Sequence, residues 1–170
     1  NKEARRLSRM VNKILSFSKI ENGKRDYIFT ETDINEIIER VISTYQHHFK
    51  NSNFDCEYHL EENLPLINVD EEAIIDALNN LIDNAIKYSA DVKLIEIKTG
   101  IQANRVFVEV KDSGIGIQEK DQALIFDKFY RVTQGNLAHH AKGSGIGLNI
   151  VKHIIDSHHG EIKVQSSYGN

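Results

Sequence analysis

The sequence predicts an α+β fold: a two-layer α/β sandwich in which helices cover one face of a mixed sheet, preceded by a separate N-terminal helix. Three observations predict it. Amphipathic helical stripes alternate with short period-two segments along most of the chain. Two of the period-two segments adjoin, as in an antiparallel hairpin. The later part of the chain is glycine-rich and irregular before it returns to a helix.

The elements follow in order. Residues 1–21 read as a helix, because Leu7, Val11, Ile14 and Phe17 form one apolar stripe. "ENGKRDY" (21–27) ends it at Asn22 and Gly23 and marks a boundary. Residues 27–33 are a short strand. Asp33 precedes a second helix striped by Ile34, Ile37, Ile38, Val41 and Tyr45, and with Glu36 it resembles a capping box. "NFDCEYHL" (53–60) alternates as a strand. Residues 67–89 read as a strand end, an Asp70 cap and a long helix. "VKLIEIKT" (92–99) and "RVFVEVK" (105–111) form the hairpin, with "GIQAN" as its loop. A short helical piece falls near "KDQALIFDKF", a helix over 148–158, and a strand over 161–166.

Composition narrows the function classes. A chain of 170 residues holds one domain, or one domain plus an appendage. The net charge of −4 leaves no general basic footprint for nucleic acid. Cys56 is the single cysteine, so no internal disulfide can form. There is no apolar run of membrane-spanning length and no signal peptide. The chain begins at Asn1 rather than Met and reads as a piece of a longer protein.

Four short segments carry chemistry. On the long helix, Asn80 and Asn84 share a face that Lys87 and Tyr88 continue. Asparagine is a poor helix former, so the stripe is either a solvated face or the wall of a nucleotide site. An amide oxygen is a hard ligand suited to Mg²⁺, and Lys87 can neutralise phosphate. In "KDSGIGIQEK", Gly114 and Gly116 let a flat ligand approach the main chain. Apolar Ile115 and Ile117 flank them, and Asp112 can accept a hydrogen bond from an exocyclic amine. A carboxylate repels phosphate, so this end reads a base. "FDKFYRV" (126–132) follows. In "KGSGIGLNI", Gly143, Gly145 and Gly147 lead into a helix at Leu148 and can expose N–H groups to phosphate. Alone, each glycine pattern also fits an ordinary loop.

In this order, and within about 70 residues, the four motifs resemble those of the catalytic, ATP-binding domain of bacterial sensor histidine kinases, in the GHKL superfamily with the Bergerat fold. "NLIDNAIKYS" looks like the N box, "DSGIGI" and "KGSGIGL" the two glycine boxes, and "FDKFYRV" the F box. The resemblance covers residues 27–170. "RRLSRMVNKILSFSKIENG" is similar to the second helix of the family's dimerisation hairpin, which divides the chain into residues 1–23 and 24–170.

The resemblance implies roles residue by residue. Asn84 coordinates Mg²⁺ with Asn80 assisting, and Lys87 contacts phosphate. Tyr88 lines the adenine or ribose side. Asp112 binds the adenine amine beside Gly114, Ile115 and Gly116. Residues from about 117 to 146 form an ATP lid anchored by Phe126 and Phe129. Tyr130 joins the nucleotide site, and Arg131 reaches the γ-phosphate. Lys142, Gly143, Ser144, Gly145, Gly147 and Leu148 wrap the phosphates. ATP and Mg²⁺ are the implied cofactors. The implied partners are the chain's own dimerisation hairpin with the phosphoacceptor histidine, a response regulator receiver domain, and a second copy in the full-length homodimer. The implied place is the cytoplasm, with the parent protein anchored in the bacterial cytoplasmic membrane through upstream segments.

Two departures bear on the reaction. None of His47, His48, His59, His139, His140, His153, His158 or His159 lies in the family's phosphoacceptor context, so the acceptor is outside this chain. The histidine pairs read as exposed loop and helix-end residues, or as a metal site. Hydrolytic members of the superfamily carry a glutamate where this chain has Asn80, and an amide cannot take a proton from water. Transfer to an imidazole is therefore favoured over the alternatives of ATP hydrolysis and of a non-catalytic nucleotide-binding module. Family members also continue with a further strand after a segment like "SSYGN".

Overall fold

The computed structural model describes residues 25–132 and 144–169, together with Val11, Leu15, Phe17, Ser18 and Ile20. The expectations for Leu7, Ile14, Asn22, Gly23, His139, His140, Lys142 and Gly143, and for the middle of the lid, lie outside the described residues.

The elements are β1 (Thr30–Thr32), α1 (Ile34–Ser52), β2 (Asp55–His59), β3 (Ile67–Val69), α2 (Glu71–Tyr88), β4 (Leu94–Gln102), β5 (Arg105–Asp112), α3 (Glu119–Gln122) and α4 (Gly147–Ser157). Strands β2, β4 and β5 form a mixed sheet in that order. β2 runs parallel to β4 from Asp55 opposite Leu94 to His59 opposite Lys98. β4 and β5 pair antiparallel from Ile95 opposite Asp112 to Gln102 opposite Arg105. β1 and β3 form a separate two-stranded ladder. The mixed α+β architecture is the one the sequence predicts.

Helix stripes meet the sheet in one core. Ile37 and Ile38 of α1, Ile82 of α2, Ile95 and Ile97 of β4, and Ile150 and Ile154 of α4 are essentially inaccessible to solvent. Burying an isoleucine contributes about 1.5–3 kcal/mol, so these residues hold the helical layer on the sheet. Both long helices begin at aspartate caps. Asp33 accepts the N–H of Asn35 at 2.8 Å, and Asp70 accepts the N–H of Ala73 at 2.8 Å.

Two predicted details are corrected. The hairpin loop is two residues, not five, and β4 runs on to Gln102. Ala103 and Asn104 both have positive φ, 49° and 61°, as a tight primed turn between twisted strands requires. Residues 161–166 form no ladder, although Ile162 and Val164 are half-buried between exposed Glu161, Lys163 and Gln165. The alternation is that of a strand, but β5 has no neighbour on its outer edge among the described residues. The segment is held at its far end instead. Ser166 accepts from the Ile117 N–H at its hydroxyl and from the Gln122 amide at its carbonyl, both at 2.9 Å.

The end of the N-terminal helix packs on the domain. Phe17 meets Phe129 edge-on at 5.8 Å, and Phe17 and Ile20 lie against the core. Val11 and Leu15, further back, are more than half exposed.

Candidate functional site

The C-terminal end of α2 and the first glycine loop are stitched together by main-chain contacts. The Ile115 N–H donates to the Tyr88 carbonyl at 3.2 Å, and Ser89 bridges Gly114. One broad open cleft is lined by Asn80, Asn84, Lys87, Tyr88, Asp112, Gly114, Ile115 and Gly116. Phe126, Tyr130, Arg131, Ser144, Gly145, Gly147 and Leu148 line it as well. Of the predicted site residues within the described part, Phe129 alone does not line it: its ring is 63% exposed and turned to Phe17. The cleft continues over β5 and residues 160–168, beside the uncovered sheet edge.

Asp112 is exposed, and its Oδ1 accepts the Gly114 N–H at 2.9 Å. That bond fixes the carboxylate at the loop entrance. A methyl group on Gly114 would stand 2.6 Å from both Asp112 Oδ1 and the Tyr88 carbonyl oxygen. Gly116 adopts φ +71°, and a methyl there would lie 1.9 Å from the Ser167 carbonyl oxygen. Both positions therefore exclude a side chain, one by contact and the other also by conformation.

On α2 the polar stripe splits. Asn80 is 5% exposed; its amide donates to the Asp76 carbonyl at 2.9 Å, while its Oδ1 is buried without a partner among the described residues. A buried, unpaired amide oxygen is costly in the absence of a further ligand. Asn84 is half-buried on the cleft wall. Lys87 folds back on its neighbour, donating to the Tyr88 hydroxyl at 2.9 Å with its ammonium 4.5 Å from the ring centre. The unpaired Asn80 oxygen and the glycine cradle fit a nucleotide with a hard cation: the lining holds amide oxygens as hard donors together with a carboxylate for a base amine.

Sequence reasoning missed two polar residues beside the site. Asp121, on α3, is 6% exposed and accepts the Tyr130 hydroxyl at 2.6 Å. Asn149 is 6% exposed and donates to the Phe126 carbonyl at 3.0 Å, its own oxygen having no partner among the described residues. A lone polar residue inside the apolar run "GIGLNIV" was the available signal for Asn149.

Residues 69–170 match the family model described as histidine kinase-, DNA gyrase B- and HSP90-like ATPase. The chain belongs to this family. Within it the chain is an ATP-binding domain of the sensor histidine kinase type. It is 37% identical over 168 residues to sensor protein RprX of Bacteroides fragilis, covering 98% of this chain and 32% of that protein. It is 36% identical over 183 residues to a sensor-like histidine kinase, ycf26, of Pyropia yezoensis, covering 100% of this chain and 28% of that protein. The chain thus spans about a third or less of these relatives' length. Among solved structures, the catalytic domain of histidine kinase ThkA is 28% identical with a TM-score of 0.67, over 77% of this chain and 82% of that one. Full-length ShkA with AMPPNP has a TM-score of 0.83 at 22% identity, over 99% of this chain and 34% of that one, a likeness of fold. Among the described residues, no helix is long and apolar enough to cross a membrane and no group of three or more His, Cys, Asp or Glu side chains is placed to hold a metal.

Proposed function

We propose that this chain binds Mg-ATP and transfers the γ-phosphoryl group to a histidine on a hairpin outside it, for relay to a response regulator aspartate. In this reading residues 1–23 belong to the dimerisation helix and 24–170 to the ATP-binding domain, with a lid over about 117–146. The observation that carries the reading is the stitching of the Asp112–Gly116 loop to the end of α2. It sets a base-reading carboxylate against the helix of Asn80, Asn84 and Lys87.

Asp112 accepts from the adenine amine, and Gly114, Ile115 and Gly116 receive the ring. Asn84 holds Mg²⁺ with Asn80 in support; when bound, the ion neutralises phosphate charge. Lys87 leaves the Tyr88 hydroxyl to meet phosphate, and Tyr88 lines the ribose side. Phe126 and Phe129 anchor the lid. Tyr130, Arg131, Lys142, Gly143, Ser144, Gly145, Gly147 and Leu148 surround the phosphates. Phosphoryl transfer needs positioning and charge stabilisation more than covalent chemistry, which matches this inventory.

Hydrolysis is less well served. Asn80 cannot act as a base, and the neighbouring carboxylates of α2 are engaged: Asp76 by Arg25 at 2.9 Å and Asp83 by the Tyr45 hydroxyl at 3.0 Å. Neutral imidazole is a stronger nucleophile than water and needs less help. A structure of ThkA with response regulator TrrA, 25% identical to this chain over 92% of it, supports the same class of partner here. Dimerisation through the hairpin and anchoring of the parent protein in the cytoplasmic membrane complete the reading.

Calorimetry with a non-hydrolysable ATP analogue tests it, with and without Mg²⁺, on this chain and on Asp112→Asn. Binding strengthens with Mg²⁺ and falls at least tenfold in the variant, about the worth of one charge-assisted hydrogen bond. Labelled ATP then passes phosphate to a separately supplied histidine hairpin. Binding unaffected by Asp112→Asn would overturn the adenine assignment, and stoichiometric phosphate release without an acceptor would favour hydrolysis.

A further inference from the structure

We propose that Asp121 is a positioning residue: acting through Tyr130, it fixes the turn that aims Arg131 at the phosphate end of the cleft. The proposal rests on the phosphotransfer reading above.

Asp121 is 6% exposed, and carboxylates are seldom so buried without a task. Its Oδ1 accepts the Tyr130 hydroxyl at 2.6 Å, a short charge-assisted bond. Asp121 stands in the short helix after the glycine loop, while Tyr130 immediately precedes Arg131. The bond therefore closes the segment between them on itself. Within it the Leu124 and Ile125 N–H groups donate to the Asp121 carbonyl, and the Tyr130 N–H donates to the Asp127 carbonyl.

The closed segment is strained at one point. Phe129 has φ +61°, which a bulky residue holds only when its surroundings enforce it. Three bonds do so from three directions. The Phe129 N–H donates to the Gly145 carbonyl at 3.1 Å, Asn149 donates to the Phe126 carbonyl at 3.0 Å, and Asp121 holds the Tyr130 side chain. The first two fasten the turn to the start of α4. The third fastens it to α3, the short helix that follows the base-reading loop. The Asp121 hydrogen bond, with burial and the nearby negative charge, also raises the Tyr130 pKa and keeps the phenol a donor. A buried carboxylate adds little stability over an apolar pair, so what this one contributes is a defined geometry.

The test compares ADP and ATP affinity with transfer to a supplied histidine hairpin, on the full chain. Tyr130→Phe removes the donor. Its preference for ATP over ADP and its transfer rate fall roughly tenfold, with ATP affinity falling more than ADP affinity, because Arg131 is aimed at the γ-phosphate while Asp112 and its loop are untouched. Asp121→Asn still offers an oxygen to the phenol and retains most of the transfer. Should Tyr130→Phe fail to fold, the paired Asp121→Leu/Tyr130→Phe variant removes the bond without leaving a buried charge. It is expected to show the same loss. Equal weakening of ADP and ATP, or unchanged transfer in a folded variant, would overturn the proposal. If the unaltered chain transfers nothing, the phosphotransfer reading fails, and the ratio of ADP to ATP affinity still decides the role of Asp121.

Discussion

Replacing Gly116 with alanine isolates what the glycine loop requires. Two costs add. At φ +71° an L-residue with a β-carbon loses about 1–2 kcal/mol relative to glycine. The added methyl would also sit 1.9 Å from the Ser167 carbonyl oxygen and 2.9 Å from the Tyr168 Cα, so main chain must move. The bonds at risk are Gly169 N–H to the Ile115 carbonyl, Ile117 N–H to the Ser166 hydroxyl and Gln122 to the Ser166 carbonyl. At about 1 kcal/mol each they contribute up to about 3 kcal/mol. With all three bonds lost the total reaches about 4–5 kcal/mol, a large share of the 5–15 kcal/mol typical of a domain. Gly169→Ala is the internal control. It has φ +85° and open space around it, so it carries the conformational cost alone, about 1–2 kcal/mol. Urea denaturation followed by circular dichroism measures both. Equal losses in the two variants would refute the contact argument and leave conformation as the whole effect.

Three further outcomes are expected. Asp70→Ala removes the α2 cap and the acceptor of the Ile28 N–H at 2.7 Å, and costs about 2 kcal/mol in the same assay. Thr99→Val, at a position 1% exposed, strands the Glu61 N–H and the Asn35 amide oxygen and lowers stability by about 1–3 kcal/mol. For pH, the Tyr130 pKa is raised above its ordinary 10.0 by the Asp121 hydrogen bond, by burial and by negative charge. Its contribution is therefore complete below pH 10 and is lost as pH rises beyond that value. Thermal melts between pH 8 and 11 should fall more steeply for the unaltered chain than for Tyr130→Phe.

Much of the fold is legible because helix stripes and strand alternation reflect burial directly. Ile37, Ile38, Ile95 and Ile97 occupy the core as their spacing requires. The site is legible where chemistry is local, as in Asp112 and its glycines. It fails where a partner distant in sequence decides. Asp121 reads as one acid among several in "QEKDQ" until Tyr130 lies over it. The alternation of 161–166 describes a strand, but a ladder needs a neighbour that the segment itself does not encode. Asn80 and Lys87 share a stripe with Asn84, yet helix geometry cannot tell that one amide turns into the core and that one ammonium folds onto Tyr88. The two-residue turn was hidden because alanine is an unusual choice at positive φ.

At Asp70 three stretches of chain are fastened at one point. Its carboxylate takes the N–H groups of Ile28 and Ala73, and its own N–H donates to the His158 imidazole at 2.9 Å. Tyr27 and Phe29 pack on that same imidazole, and Arg25 grips Asp76 nearly two turns further along. The chain entering from the N-terminal helix is thus bolted to the near end of a stiff rod. Asn84 stands roughly 21 Å along it, at about 1.5 Å per residue. A pull on residues 25–29 reaches the far end as a tilt of the whole shaft, with little slack to absorb it.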